Sequence, residues 1–138
     1  MNDIDYNDRF FVPVSNTGNG EADSSTVFHY RQRGDIVWAT YKGGDISFGT
    51  LIATVGEAGR LEMSYSHVNR GGELMTGRCK SRPEVLPDGR LRLHESWQWT
   101  SGDFSQGESV VEEMRRDSTY RVDDEEGRGR VKGRPAGE

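Results

Sequence analysis

Cysteine is nearly missing from this chain. Its 138 residues contain one, Cys79, so an internal disulfide and a disulfide-stapled scaffold are both excluded. Basic excess is missing too. The formal net charge is -5, which makes nucleic acid and anionic membrane poor partners. No apolar run is long enough to span a bilayer. The first residues, Met-Asn-Asp-Ile-Asp-Tyr, show no basic region followed by an apolar one, so no secretion signal is expected. With the lone thiol, this points to a reducing, cytoplasmic compartment. Hydrophobic residues make up only 32%, too little for a typical helical bundle. Such a composition suits a sheet with one wet face, a partly unstructured chain, or both. Proline is scarce, at 4 residues, while glycine is abundant, at 18. That combination favours many tight hairpins over a rigid linker.

Several chemistries are absent as well. There is no P-loop, no dinucleotide fingerprint and no Gly-x-Ser-x-Gly elbow. An acetyltransferase such as an N-acetylglutamate synthase needs an α/β pattern and a pyrophosphate-binding turn, and neither is visible. No spacing of His, Cys and carboxylates resembles a metal site, and no cofactor is expected.

What the chain does have is period-two patterning. Leu61, Met63, Tyr65 and His67 share one face of a run, with Glu62, Ser64 and Ser66 on the other. Leu91, Leu93, Glu95, Trp97 and Trp99 do the same against Arg92, His94, Ser96, Gln98 and Thr100. Such alternation marks strands with one dry face. Further runs are Phe10–Val14, Val27–Gln32, Ile36–Lys42, Phe48–Val55, Leu74–Ser81 and Glu108–Met114. Glycine-bearing turn signals separate most of them, among them Arg33-Gly34-Asp35, Gly43-Gly44-Asp45 and Pro87-Asp88-Gly89. Eight runs without a long amphipathic helix predict an all-β meander, and closing it removes the exposed edges. The expected division is an N-terminal extension over 1–9, a barrel over 10–117 and a flexible charged tail over 118–138. The polar stretch Ser15–Ser25 reads as a long first loop.

Three short stretches carry a resemblance. Ser96-Trp97-Gln98-Trp99-Thr100-Ser101-Gly102 is similar to the penultimate strand of the avidin and streptavidin family, where a pocket tryptophan precedes Thr-Ser-Gly. Leu74-Met75-Thr76-Gly77-Arg78 resembles that family's small-residue strand, and Thr40-Tyr41 its pocket tyrosine pair. The resemblance covers about residues 10 to 117. It implies an eight-stranded antiparallel up-and-down barrel, the meander of avidin-like and calycin-like folds. It also implies that Trp97 and Tyr41 face the pocket, that Tyr65 stands near a family tryptophan, and that Asp117 falls where the last strand carries an aspartate. Two departures speak against biotin as the ligand. The first strand lacks the Trp-Tyr-Asn-Gln-Leu-Gly-Ser pattern that contacts the ureido group, and Met75 stands where a pocket tryptophan belongs.

Glu95 is the sharpest anomaly, because it lies between Leu93 and Trp97 on an apolar face. A carboxylate there needs partners. It reads either as a polar anchor in a pocket or as a satisfied internal group. His67 could pair with Glu95 or ligate a haem iron, but a hydrogen-bonded lumen histidine is the simpler reading. Cys79 has Arg78, Lys80 and Arg82 nearby, yet an inert strand cysteine is expected. The Phe48–Val55 run is apolar on both faces, and Trp38 has opposite parity to Tyr41. Both observations imply that the outside of the barrel is covered, so a homo-oligomer is expected.

The leading expectation is a non-catalytic barrel that binds an unknown small molecule through Tyr30, Tyr41, Tyr65, His67, Glu95 and Trp97. One alternative is an oligomerising structural module with a filled lumen. A weaker one is an enzyme using Glu95 and His67 as an acid–base pair.

Overall fold

The computed structural model describes residues 4–115. The eight expected runs all form strands: β1 (Arg9–Asn16), β2 (Val27–Arg33), β3 (Ile36–Gly43), β4 (Ile46–Val55), β5 (Leu61–Asn69), β6 (Leu74–Val85), β7 (Leu91–Trp99) and β8 (Gln106–Glu113). Each pairs antiparallel with the next, and β8 pairs back onto β1 through Phe11–Asn16, closing the barrel. A 3-10 turn at Glu57–Gly59 is the one helical element among the described residues. Among the described residues no helix is long and apolar enough to cross a membrane.

Short hairpins set the register. β2 and β3 are joined by Gly34-Asp35 alone, and Gly34 adopts a positive φ of 59°. A two-residue turn needs that conformation, and glycine reaches it without a Cβ penalty. β6 runs past the expected Ser81 to Val85, through Pro83. Beyond Ser81 it pairs only with β7, because β5 ends its pairing at Leu61. With one side unpaired, the strand tolerates a residue that cannot donate a ladder hydrogen bond.

The alternation read from sequence places the core. Leu61, Met63 and His67 of β5 are buried, as are Leu91, Leu93, Trp97 and Trp99 of β7. A meander brings the β2–β3, β4–β5 and β6–β7 connections to one end of the barrel. That end is plugged by Tyr6, Phe11, Tyr30, Val37, Leu61 and Leu91, each at 2% exposure or less. Tyr6, from the expected N-terminal extension, sits in this plug and donates its hydroxyl to the Gly59 carbonyl at 2.5 Å. Its ring lies 6.1 Å from that of Tyr30, which also packs 4.8 Å from Phe11. The expected tail, with Asp117, lies outside the described residues.

Candidate functional site

The other end of the barrel is not filled. A cavity of about 70 Å³ opens between the strands, walled by Phe28, Tyr41, Leu51, Tyr65, Trp97 and Trp99. One buried water needs roughly 10–15 Å³ on this scale, so there is room for several waters or a small organic group. The lumen is therefore half plug and half pocket. Strand β7 shows why: Leu91 and Leu93 lie in the plug, Trp97 and Trp99 in the pocket wall, and Glu95 between them at the pocket floor.

Three glycines keep the pocket open. Gly49 faces Tyr41 across β3–β4, Gly77 faces Tyr65 across β5–β6, and Gly107 faces Trp97 across β7–β8. A methyl group at Gly49 would run into the Tyr41 ring, one at Gly77 into the Tyr65 ring, and one at Gly107 into the Trp97 ring. Each ring thus lies against bare backbone on the barrel wall instead of standing across the lumen. The rings then meet edge to face: Trp97 and Trp99 at 5.6 Å, Tyr65 and Trp99 at 5.8 Å.

The floor is polar. Asn16, Ser109, Glu95 and Ser81 are successive cross-strand partners on β1, β8, β7 and β6. Ser109 donates its hydroxyl to Glu95 Oε1 at 3.0 Å. The Ser81 hydroxyl is buried and has no hydrogen-bond partner. Glu95 keeps some accessible surface as a residue because it lines a cavity, yet its carboxyl is enclosed by the barrel. Burial pushes that carboxyl up to about 7, against the opposing effect of the Ser109 hydrogen bond. Burial likewise raises the Cys79 thiol, and Glu95 adds to the effect. Its neighbours Arg78, Lys80 and Arg82 are exposed on the outer face, on the opposite side of the strand from the buried thiol.

A second polar group closes the mouth. Glu21, on the β1–β2 loop, accepts from His67 Nε2 at 2.8 Å and from Asn69 Nδ2 at 3.1 Å. The Tyr41 hydroxyl lies 3.0 Å from His67 Nδ1, completing a carboxylate–imidazole–phenol chain. The same loop is tied at Asn19, whose carbonyl accepts from Trp99 Nε1 at 3.1 Å.

Five of the six expected residues line the cavity: Tyr41, Tyr65, His67, Glu95 and Trp97. Tyr30 does not, because its place on β2 puts it one inward position deeper than Phe28, inside the plug. His67 hydrogen-bonds to Glu21 and Tyr41, not to Glu95, so the expected acid–base pair is not assembled. His29 and His94 bond to Asp8 and Glu84 outside the lumen. Among the described residues no His, Cys, Asp and Glu cluster fits a metal ion. The residue missed by sequence reasoning is Glu21. It lies in a polar loop, and no periodicity exists there to reveal that its side chain turns inward. Trp99 shares the face of Trp97 and was legible as such.

A closed meander, plugged at one end and holding an aromatic-walled pocket at the other, is a small-ligand-binding type of β-barrel. The model of the family described as avidin-like protein matches residues 4–114, and the chain belongs to that family. No curated protein matches the chain.

Proposed function

We propose that this barrel binds a small molecule in its open half without transforming it. The observation that carries the reading is the pocket itself: an aromatic wall kept clear by three glycines, above a buried carboxyl with a single protein donor. Pockets of this kind combine apolar walls with a few orienting polar groups. In this reading Trp97, Tyr65 and Tyr41 pack against the ligand body. Glu95 fixes its inner end, and His67, held by Glu21, fixes the outer end. Biotin is not the ligand we favour, because Met75 and the first strand depart from the pattern that contacts it. Cytoplasmic location belongs to the same proposal and rests on the single cysteine.

Native mass spectrometry of the purified protein, followed by tryptophan fluorescence titration with a metabolite panel, tests it. A co-purified or titrating small molecule whose signal is lost in a folded Trp97→Phe variant supports the reading. A clean mass with flat titrations would shift the weight to the structural module.

That second reading has its own observation. Ile36, Trp38, Phe48, Ile52, Val68 and Leu74 are exposed on the outer face of β3 to β6, with Ile52 at 60%. Most of them form two groups, Trp38 with Ile52 and Phe48 with Val68 and Leu74, with Thr50 and Ser66 between them, and exposed apolar clusters of this kind mark an interaction site. We infer that a second copy of the chain covers it, whether or not the lumen binds a ligand. A light-scattering mass equal to one chain would remove this part.

A further inference from the structure

The pocket's charge inventory is one-sided. Its lining contains two carboxylates, Glu21 and Glu95, and one histidine, but neither lysine nor arginine. Glu21 is already engaged by His67 and Asn69 at the mouth. Glu95, at the floor, receives one hydrogen bond, from Ser109. A carboxylate has about four acceptor sites, so Glu95 keeps unused capacity in a low-dielectric place. Its cross-strand partner Ser81 adds a buried hydroxyl with no partner at all. The floor therefore has unused acceptor capacity at Glu95, and the buried Asn16 Oδ1 on the same lining has no partner either.

The walls point the same way. Tyr65, Trp97, Trp99, Tyr41 and Phe28 surround the space above Glu95. Aromatic faces carry negative potential and attract a cation, the more strongly when water is excluded. An anion placed here would meet that potential and two carboxylates, with no permanent cation to compensate. A neutral molecule would gain the apolar contacts but leave the ionised form of Glu95 without a counter-charge, whereas a cation favours that form.

Resting on the reading of the open half as a ligand site, we propose that it selects a small organic cation, an ammonium or amidinium head on an apolar body. The head donates N–H groups to the Glu95 carboxylate at the floor, and the body lies among the rings. Ser109 positions Glu95 by occupying its other oxygen. The Glu21–His67 pair closes over the apolar end, outside the reach of the head.

Three probes of nearly equal shape test this: 3-methylbutylammonium, 3-methylbutanol and 3-methylbutanoate. Each is titrated into the full chain at neutral pH and followed by the tryptophan indole N–H resonances. The ammonium is expected to bind at least about tenfold tighter than the alcohol, with the butanoate weakest. In Glu95→Gln, checked for folding by circular dichroism, the advantage of the ammonium over the alcohol should fall to about twofold or less. Equal binding of all three, or preference for the alcohol or butanoate, would keep the pocket and overturn cation selection. Failure of all three to bind would overturn the ligand site as well. Ammonium preference that survives Glu95→Gln unchanged would assign the cation to another part of the molecule and sink the role given to Glu95.

Discussion

At the scale of single residues, Glu95 is a carboxyl held away from water inside the barrel. Its folded-state pKa of about 7 stands above the ordinary carboxyl value of 4.5 because burial disfavours the charged form. The folded state therefore holds a proton that the unfolded state releases between those two values. The stabilising contribution of the Glu95 proton is fully present below about 4.5, falls as pH rises through that window, and is lost above about 7. The full loss is on the order of 3 kcal/mol. Urea titrations across that window should show this decline in the natural protein and a flatter profile in Glu95→Gln. A profile unchanged by the substitution would mean that other groups set the pH dependence. Cys79 offers a simpler check. Its thiol is buried and raised, so alkylation of the native protein at neutral pH should be slow and should track global unfolding.

At the scale of strands and loops, the glycine–aromatic pairs decide how much lumen remains. Gly77→Ala should push the Tyr65 ring off the wall and into the pocket. Overpacking of this kind costs about 1–3 kcal/mol. Because Tyr65 would then fill ligand space, probe affinity should fall by more than the stability change explains. Thermal melts read beside titrations separate the two effects. The β1–β2 loop behaves differently, since side-chain hydrogen bonds and not a strand ladder hold much of it. Removing the Glu21 contacts to His67 and Asn69 with Glu21→Ala should speed amide hydrogen exchange over residues 17–26 while leaving β5 protected. Unchanged exchange in that loop would show that its other bonds, among them Asn16 to Ala22, Asn19 to Gln106 and Trp99 to Asn19, suffice to hold it.

At the scale of the whole molecule, the barrel has two unlike halves and two unlike surfaces. The plugged half supplies the stable core, which leaves the other half free to stay open. On the outside, Trp38 pairs with Ile52 across β3–β4, and Phe48 with Val68 across β4–β5. These pairs add nothing to the lumen and leave apolar area facing water. Trp38→Glu together with Ile52→Glu should convert the proposed assembly to single chains without unfolding the barrel. Light scattering and circular dichroism on the same samples report both properties. An unchanged mass in the double variant would place the contact elsewhere.

Period-two alternation was enough to give the eight strands, their inward faces and closure, because a strand's dry face repeats every second residue and a hairpin turn carries its own glycine signature. Tyr65, His67, Glu95 and Trp97 were legible as lumen residues from that alternation, and the avidin-like resemblance pointed to Tyr41 and again to Trp97. Depth along the barrel was not legible. Parity says that Tyr30 faces inward but not that it stands in the plug, since that depends on the stagger of β2 against β1 and on Tyr6 arriving from outside the strand pattern. The role of the strand glycines was not legible, because only pairing sets Gly77 beneath Tyr65. Glu21 lay furthest from reach: a loop has no period, and its inward turn is decided by His67 and Asn69, 46 and 48 residues further along the chain.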